Sequence, residues 1–290
     1  MLRSSWTLLR DAAMYFVDDN ALSRGAAIAY YTTFSLGPVL VIVIAIAGFV
    51  FGEAAARGAI VGQLSGLMGH DAAGMLQTAI HSASHYGSSV VATAVGIGTL
   101  IITASGVFVE MQTALNAIWK AEPPRTTVGQ LVRARLVSLG LVMALGFLLL
   151  VSLVISAALS ALGEWLDGKF PGSWLFLRLL SILVSFVLIA VLFAAIYKVL
   201  PDKVIAWRDV AAGAIATTLL FQAGKYVIGL YIGSSSVASS YGAAGALVVT
   251  LLWIYYSAQI FLFGAEFTRA YAERHGSQPR ARATAVNQLG

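Results

Sequence analysis

The chain contains no cysteine, which excludes disulfide bridges and thiolate-bound metals and leaves the redox compartment unread. Charge is also scarce: Asp, Glu, Lys and Arg make up 11% of the 290 residues, about half the share of an ordinary soluble domain. No phosphate-binding GxxxxGK[ST], no HExxH and no GxSxG occurs, and GIGTLI at 96–101 lacks a third glycine and follows no strand. A nuclease would need clustered metal-binding carboxylates or a histidine pair near a basic groove. The basic residues are instead spread over four separate segments. No enzymatic activity, no cofactor and no nucleic-acid partner are therefore expected. The N-terminus has no uninterrupted apolar run before Asp11, Asp18 and Asp19, so it does not read as a cleaved signal, and the first span is expected to stay as its own anchor.

What is present is apolar. Hydrophobic residues make up 59% of the chain, and six windows, at 26–52, 89–110, 136–162, 174–199, 209–232 and 242–268, are long enough to cross about 30 Å of hydrocarbon. Residues 5–20 place Trp6, Leu9, Ala13, Phe16 and Val17 at helical spacing among Arg10, Asp11, Asp18 and Asp19, the pattern of an amphipathic helix lying on the membrane. The segment from Glu53 to Ser88, with Arg57, His70, Asp71, His81 and His85, is expected to form one or two surface helices.

Positive charge marks the cytoplasmic side of short loops. Arg3, Arg10 and Arg24 precede the first window; Lys120, Arg125, Arg133 and Arg135 follow the second; Lys198 ends the fourth, and Lys203 and Arg208 follow it; Arg269, Arg274, Arg280 and Arg282 follow the sixth. The alternation fits an even number of crossings with both termini cytoplasmic. The expected fold is an all-α integral membrane bundle of six transmembrane helices: an amphipathic segment over 1–25, a six-span domain over 26–270 and a tail over 271–290 whose composition predicts disorder.

The first window opens with Tyr30, Tyr31, Thr32, Thr33 and Ser35 before Gly37-Pro38. Pro38 lacks an N–H and its ring displaces the Phe34 carbonyl, which predicts a kink or opening there and an inward-facing polar half. Two readings stay open: Tyr30, Tyr31, Thr33, Ser35 and Pro38 line a substrate path, as interrupted helices do in transporters, or the helix is merely kinked and packed through its hydroxyls. The uncharged run 229–246, which includes Tyr241, reads as a re-entrant turn or as a plain external turn. Glu110, Lys225 and Glu266 lie within or at the edges of spans and need partners, water or the interface. Glu110 and Glu266 share one predicted side, where they either exchange a proton or cation together or pair with Arg24 and Arg269, while Lys225 snorkels outward. His81 and His85 have the i, i+4 spacing of a metal clamp without a third ligand, so surface histidines are the competing reading. Ala92, Gly96, Gly98 and their small neighbours permit close helix packing.

ALSRGAAIAYYTTFSLGPVL at 21–40, ALNAIW at 114–119, YKVLPD at 197–202 with Trp207, GA at 213–214 and YGAAGALVVTLLWIYYSAQIFLFGAEF at 241–267 together resemble the YihY/BrkB family of bacterial inner-membrane proteins. The resemblance covers most of the chain. It implies a six-span helical bundle in the bacterial inner (plasma) membrane. Members have been labelled ribonuclease BN, and the BrkB name is tied to serum resistance, but neither label comes with a catalytic motif that maps onto these residues. Two function classes remain: a transporter or channel for a small solute, ion or lipid, and a non-catalytic structural or interaction protein supporting envelope integrity. An interfacial lipid enzyme using His81, His85 and Asp71 ranks below both. The bilayer is the expected partner, and a homo-oligomer is open.

Overall fold

The computed structural model describes residues 2–52, 54, 55, 57, 58, 60–62, 106–121, 140, 151, 155, 173–234 and 245–278. Among these, every regular element is an α-helix, as expected. The elements are α1 (Leu2–Asp18), α2 (Ala21–Phe51), α3 (residues 106–118), α4 (Ser173–Val199), α5 (Trp207–Ser234) and α6 (Gly245–Arg274). Three stretches are long and apolar enough to cross a membrane: Phe176–Val199, Trp207–Tyr231 and Leu247–Arg274. They coincide with the fourth, fifth and sixth predicted windows, and α2 covers the first. The second and third windows lie outside the described residues except for 106–110, 140, 151 and 155, as do His70, Asp71, His81, His85, Tyr241 and residues 279–290.

α6 is the central element, packing against α1, α2 and α5, while α4 packs against α5. The α5–α6 crossing is close because small residues face each other across it. Thr268 sits against Gly213 and Thr217 against Gly264, where a Cβ on either glycine would collide. Each threonine hydroxyl is satisfied within its own helix: Thr217 Oγ1 donates to the Gly213 carbonyl and Thr268 Oγ1 to the Gly264 carbonyl, both at 2.7 Å. The two hydroxyls therefore enter an apolar contact without leaving an unmet donor.

The principal core gathers at one end of the bundle. Leu115 and Ile118 of α3, Tyr197 of α4, Ile205 from the α4–α5 connection, Val210 of α5 and Leu262 of α6 are all fully buried there. Polar ties close the same end. Asp202 accepts from Asn116 Nδ2 at 2.7 Å and returns its own N–H to Asn116 Oδ1 at 2.9 Å, and Lys203 donates to the Trp119 carbonyl at 3.0 Å. α3 ends in a reciprocal pair, Lys120 N to Ala117 O and Ala121 N to Asn116 O, with Lys120 at φ 48° in the left-handed region. α1 and α2 are joined through Asn20, also left-handed at φ 54°, a conformation asparagine tolerates better than most residues.

α2 is continuous through Pro38, so of the two outcomes expected there the helix does not open into two pieces. Within the stretch read as a tail, α6 runs to Arg274 and residues 275–278 fold onto the start of α5. Ser277 donates its N–H (3.1 Å) and its hydroxyl (2.6 Å) to Asp209 Oδ2, and Gln278 Nε2 reaches the Val204 carbonyl at 3.2 Å. Composition does not show this, since Ser277 is held by polar groups meeting the Asp209 carboxylate, buried in the first turn of α5.

Candidate functional site

At the end where α1 meets α6, six charged side chains and the Tyr15 phenol, from three parts of the chain, converge. Arg269 is the hub. Its Nη1 lies 3.0 Å from Asp19 Oδ2 and 3.8 Å from Glu266 Oε2, and its Nε donates to Glu273 Oε1 at 2.9 Å. Tyr15 stacks under the guanidinium, 4.3 Å from ring centroid to Cζ, and donates its hydroxyl to Glu273 Oε2 at 2.9 Å. Lys120, arriving from the end of α3, pairs with the other Asp19 oxygen. Arg24 Nε donates to the Asp19 carbonyl at 2.9 Å.

The partners are unevenly shared. Asp19 takes both the ammonium and the guanidinium, whereas Glu266 has 0% exposure and neither of its oxygens receives a hydrogen bond from a described residue. Its ion-pair contact with Arg269, the one among the described residues, is at 3.8 Å and beyond hydrogen-bond length. A carboxyl taken from water into a helix of membrane-spanning composition and left so poorly served is costly. Chemically, the arrangement can accept a proton or a small cation at Glu266, with Asp19 and Arg269 fixed beside it.

Among the described residues it is Asp19 that shares Arg269 with Glu266, a carboxylate the sequence did not single out for this role. The expected Glu266–Arg269 contact is present. Asp19 and Lys120 escaped notice because their partners lie far away in sequence. One signal was available. Gln259, Glu266 and Glu273 recur every seven residues on α6, which puts them on one face, and that face meets α1 and α2. Gln259 Nε2 reaches the Leu22 carbonyl at 3.4 Å, Glu266 reaches the Asp19 cluster and Glu273 reaches Tyr15.

A family model described as Virulence factor BrkB matches residues 13–288. The chain belongs to the BrkB family. Similar curated proteins carry the name UPF0761 membrane protein: one from Stenotrophomonas maltophilia is 29% identical over 89% of this chain and 59% of its own length. One from Rhodospirillum centenum is 27% identical over 98% of this chain and 60% of its own, and one from Alteromonas mediterranea is 28% identical over 91% and 89%. The chain thus spans about 60% of the length of the first two. No solved structure matches.

The stretches that carry the BrkB resemblance meet in space. ALNAIW touches YKVLPD through Asn116 and Asp202, Tyr197 of YKVLPD donates its hydroxyl to the Phe261 carbonyl at 2.7 Å, and Gly25 of the first stretch abuts Gln259 of the last. The remaining candidates of this BrkB-family chain are dispersed. In α2, Thr33 Oγ1 donates to the Ala29 carbonyl at 2.8 Å and Ser35, 4% exposed, to that of Thr32 at 3.1 Å. Both hydroxyls are thus satisfied by their own helix and need no interior partner. Tyr30 is 58% exposed and packs its ring at a tilt against exposed Phe34, with centroids 4.9 Å apart, so the polar half does not face inward as a unit. Tyr31 is exposed beside Gly106 of α3. Lys225 lies over the ring of Tyr226 at 5.4 Å, and Glu110 is half-buried on α3.

Proposed function

We propose that this membrane protein is a multi-pass transporter or channel of the bacterial inner membrane, moving a small solute, an ion or a lipid, in which Glu266 is the ionisable group of the pathway. The carrying observation is the fully buried Glu266, whose oxygens receive no hydrogen bond from the described residues while the adjacent Asp19 holds both Lys120 and Arg269. In this reading Glu266 gains and loses a proton or cation, and Asp19 keeps Arg269 in place during the exchange. The meeting of Asp19, Lys120, the 202–209 segment and residues 269–278 at one end supports a common cytoplasmic side for the N-terminus, two loops and the C-terminus. Absence of the searched catalytic motifs supports a non-enzymatic role.

Protons serve as the test probe. In vesicles loaded with a pH-sensitive dye and given a pH gradient, with potassium and valinomycin clamping the potential, the protein should collapse the gradient several-fold faster than empty vesicles. Glu266→Gln, eluting from size exclusion like the parent, should return the rate to the empty-vesicle level. A parent protein indistinguishable from empty vesicles would sink the proton-exchange role.

The second reading, a structural or interaction protein of the envelope, is favoured by the α2 hydroxyls, because Thr33 and Ser35 bond to their own helix. It predicts normal function after Glu266→Gln, provided that the fold survives.

A further inference from the structure

α1 has two apolar faces. Leu8 and Ala12 point inward onto Ala270, with Tyr15, Phe263, Phe267 and Tyr271 around them. Asp11 fixes that side by accepting from Arg274 Nε at 2.9 Å. About a third of a turn away, Trp6 (72% exposed), Leu9, Ala13 and Val17 (70%) point outward. This outer stripe is four of the five residues whose spacing marks the helix as amphipathic, so the side that a soluble protein would bury is the exposed one. Arg10 is exposed beside it. The same end of the bundle presents a second exposed apolar pair, Val204 and Trp207, next to exposed Arg208. The C-terminal residues link the two patches, since Arg274 holds α1 while Ser277 and Gln278 hold the 204–209 segment.

We propose that the outer face of α1, continued by Val204 and Trp207, docks on an anionic lipid surface, the headgroup layer at the basic end of the bundle. Three properties of the surface fit that occupant. Tryptophan with aliphatic neighbours suits the boundary where one side is apolar and the other wet. Arginines flanking the stripe meet lipid phosphate. Among the described residues of this end, 2–25, 120–121, 198–209 and 269–278 carry nine Lys and Arg against six Asp and Glu, an excess of positive charge that draws anionic headgroups and disfavours a second copy of this end. Anchoring α1 from outside and clamping it to α6 from inside leaves the helix fixed on both sides. This inference does not depend on the transport reading.

The absence of cysteine makes the test direct. Trp6→Cys, Leu9→Cys and Val17→Cys, with Asp18→Cys as a flanking control, are labelled with bimane in the full chain and placed in nanodiscs containing nitroxide-labelled lipid. One set is pure phosphatidylcholine and one contains a quarter phosphatidylglycerol. Labels at 6, 9 and 17 should be quenched at least twofold more than at 18. The quenching should be stronger in the anionic discs, and Arg10→Gln should remove part of that difference. Equal quenching in both lipids overturns the anionic surface. Bright labels open to aqueous iodide overturn docking altogether, and labels shielded from both lipid and iodide overturn it in favour of a protein cover.

Discussion

Lys120 is the residue whose backbone and side chain pull in different directions. At φ 48° it occupies a region that costs a non-glycine residue about 1 kcal/mol, yet there it closes α3 and carries its ammonium to Asp19. The ion pair offsets little of that cost, because the Lys120 side chain is 57% exposed and solvent-screened pairs contribute less than about 1 kcal/mol. Replacing it separates the two effects. Lys120→Ala loses the pair and keeps the strained backbone, whereas Lys120→Gly loses the pair and releases the backbone. Lys120→Gly should therefore be the more stable of the two by about 1 kcal/mol, read as the higher melting temperature in the same detergent. If Lys120→Ala melts higher, the left-handed turn is not what Lys120 has to satisfy. At the same scale, Glu266 was legible in the sequence as an ionisable residue near the end of a span, but its neighbours were not. Asp19 and Arg269 are 250 residues apart, and nothing in local spacing says which side of α1 turns towards α6.

At the scale of the element, the α5–α6 crossing turns on where glycine stands. Gly264 lies against Thr217 and Tyr197, with no room for a Cβ, whereas Gly229 on the exposed side of α5 has nothing within 4 Å of that position. The same substitution should consequently have opposite signs at the two sites. Gly229→Ala should raise stability by up to about 1 kcal/mol through helix propensity. Gly264→Ala should lower it by about 1–3 kcal/mol through overpacking. Thermal unfolding of the two variants side by side decides the matter; a shift in the same direction at both would remove the close approach as the reason for Gly264. The first, fourth, fifth and sixth windows were readable because the length and apolarity of a spanning helix need no knowledge of tertiary contacts. The α1 stripe was readable for the same reason, but its orientation was not. Leu8 and Ala12, which actually contact α6, are fewer and smaller than the residues on the outer side. The polar ties of Ser277 and Gln278 left no apolar periodicity to detect.

For the whole molecule, charge distribution along the chain foretold that distant segments share an end, and Asp19, Lys120, Lys203 and Ser277 do meet there. What charge does not reveal is whether water enters between the helices, and α2 is where that question is decided. Tyr30 lies nine residues along α2 from Ala21, about 14 Å at 1.5 Å per residue, deep enough for an exposed phenol to face either hydrocarbon or a wet path. Ser35 is buried and bonded to its own helix. On the proposed transport reading, a path past α2 would run along Tyr30 and not through Ser35. With single cysteines in an otherwise cysteine-free chain, Tyr30→Cys should react with a membrane-impermeant maleimide, and it should do so from the side that labels Lys120→Cys. Ser35→Cys should stay unreacted from either side. If Tyr30→Cys is also silent while Lys120→Cys labels fully, its phenol faces lipid, since a thiol in hydrocarbon does not form the thiolate that reacts. A wet path past Glu266 would then have to run along another face of α6. If Ser35→Cys reacts, water reaches a position that the packed helix closes, and α2 must open during function.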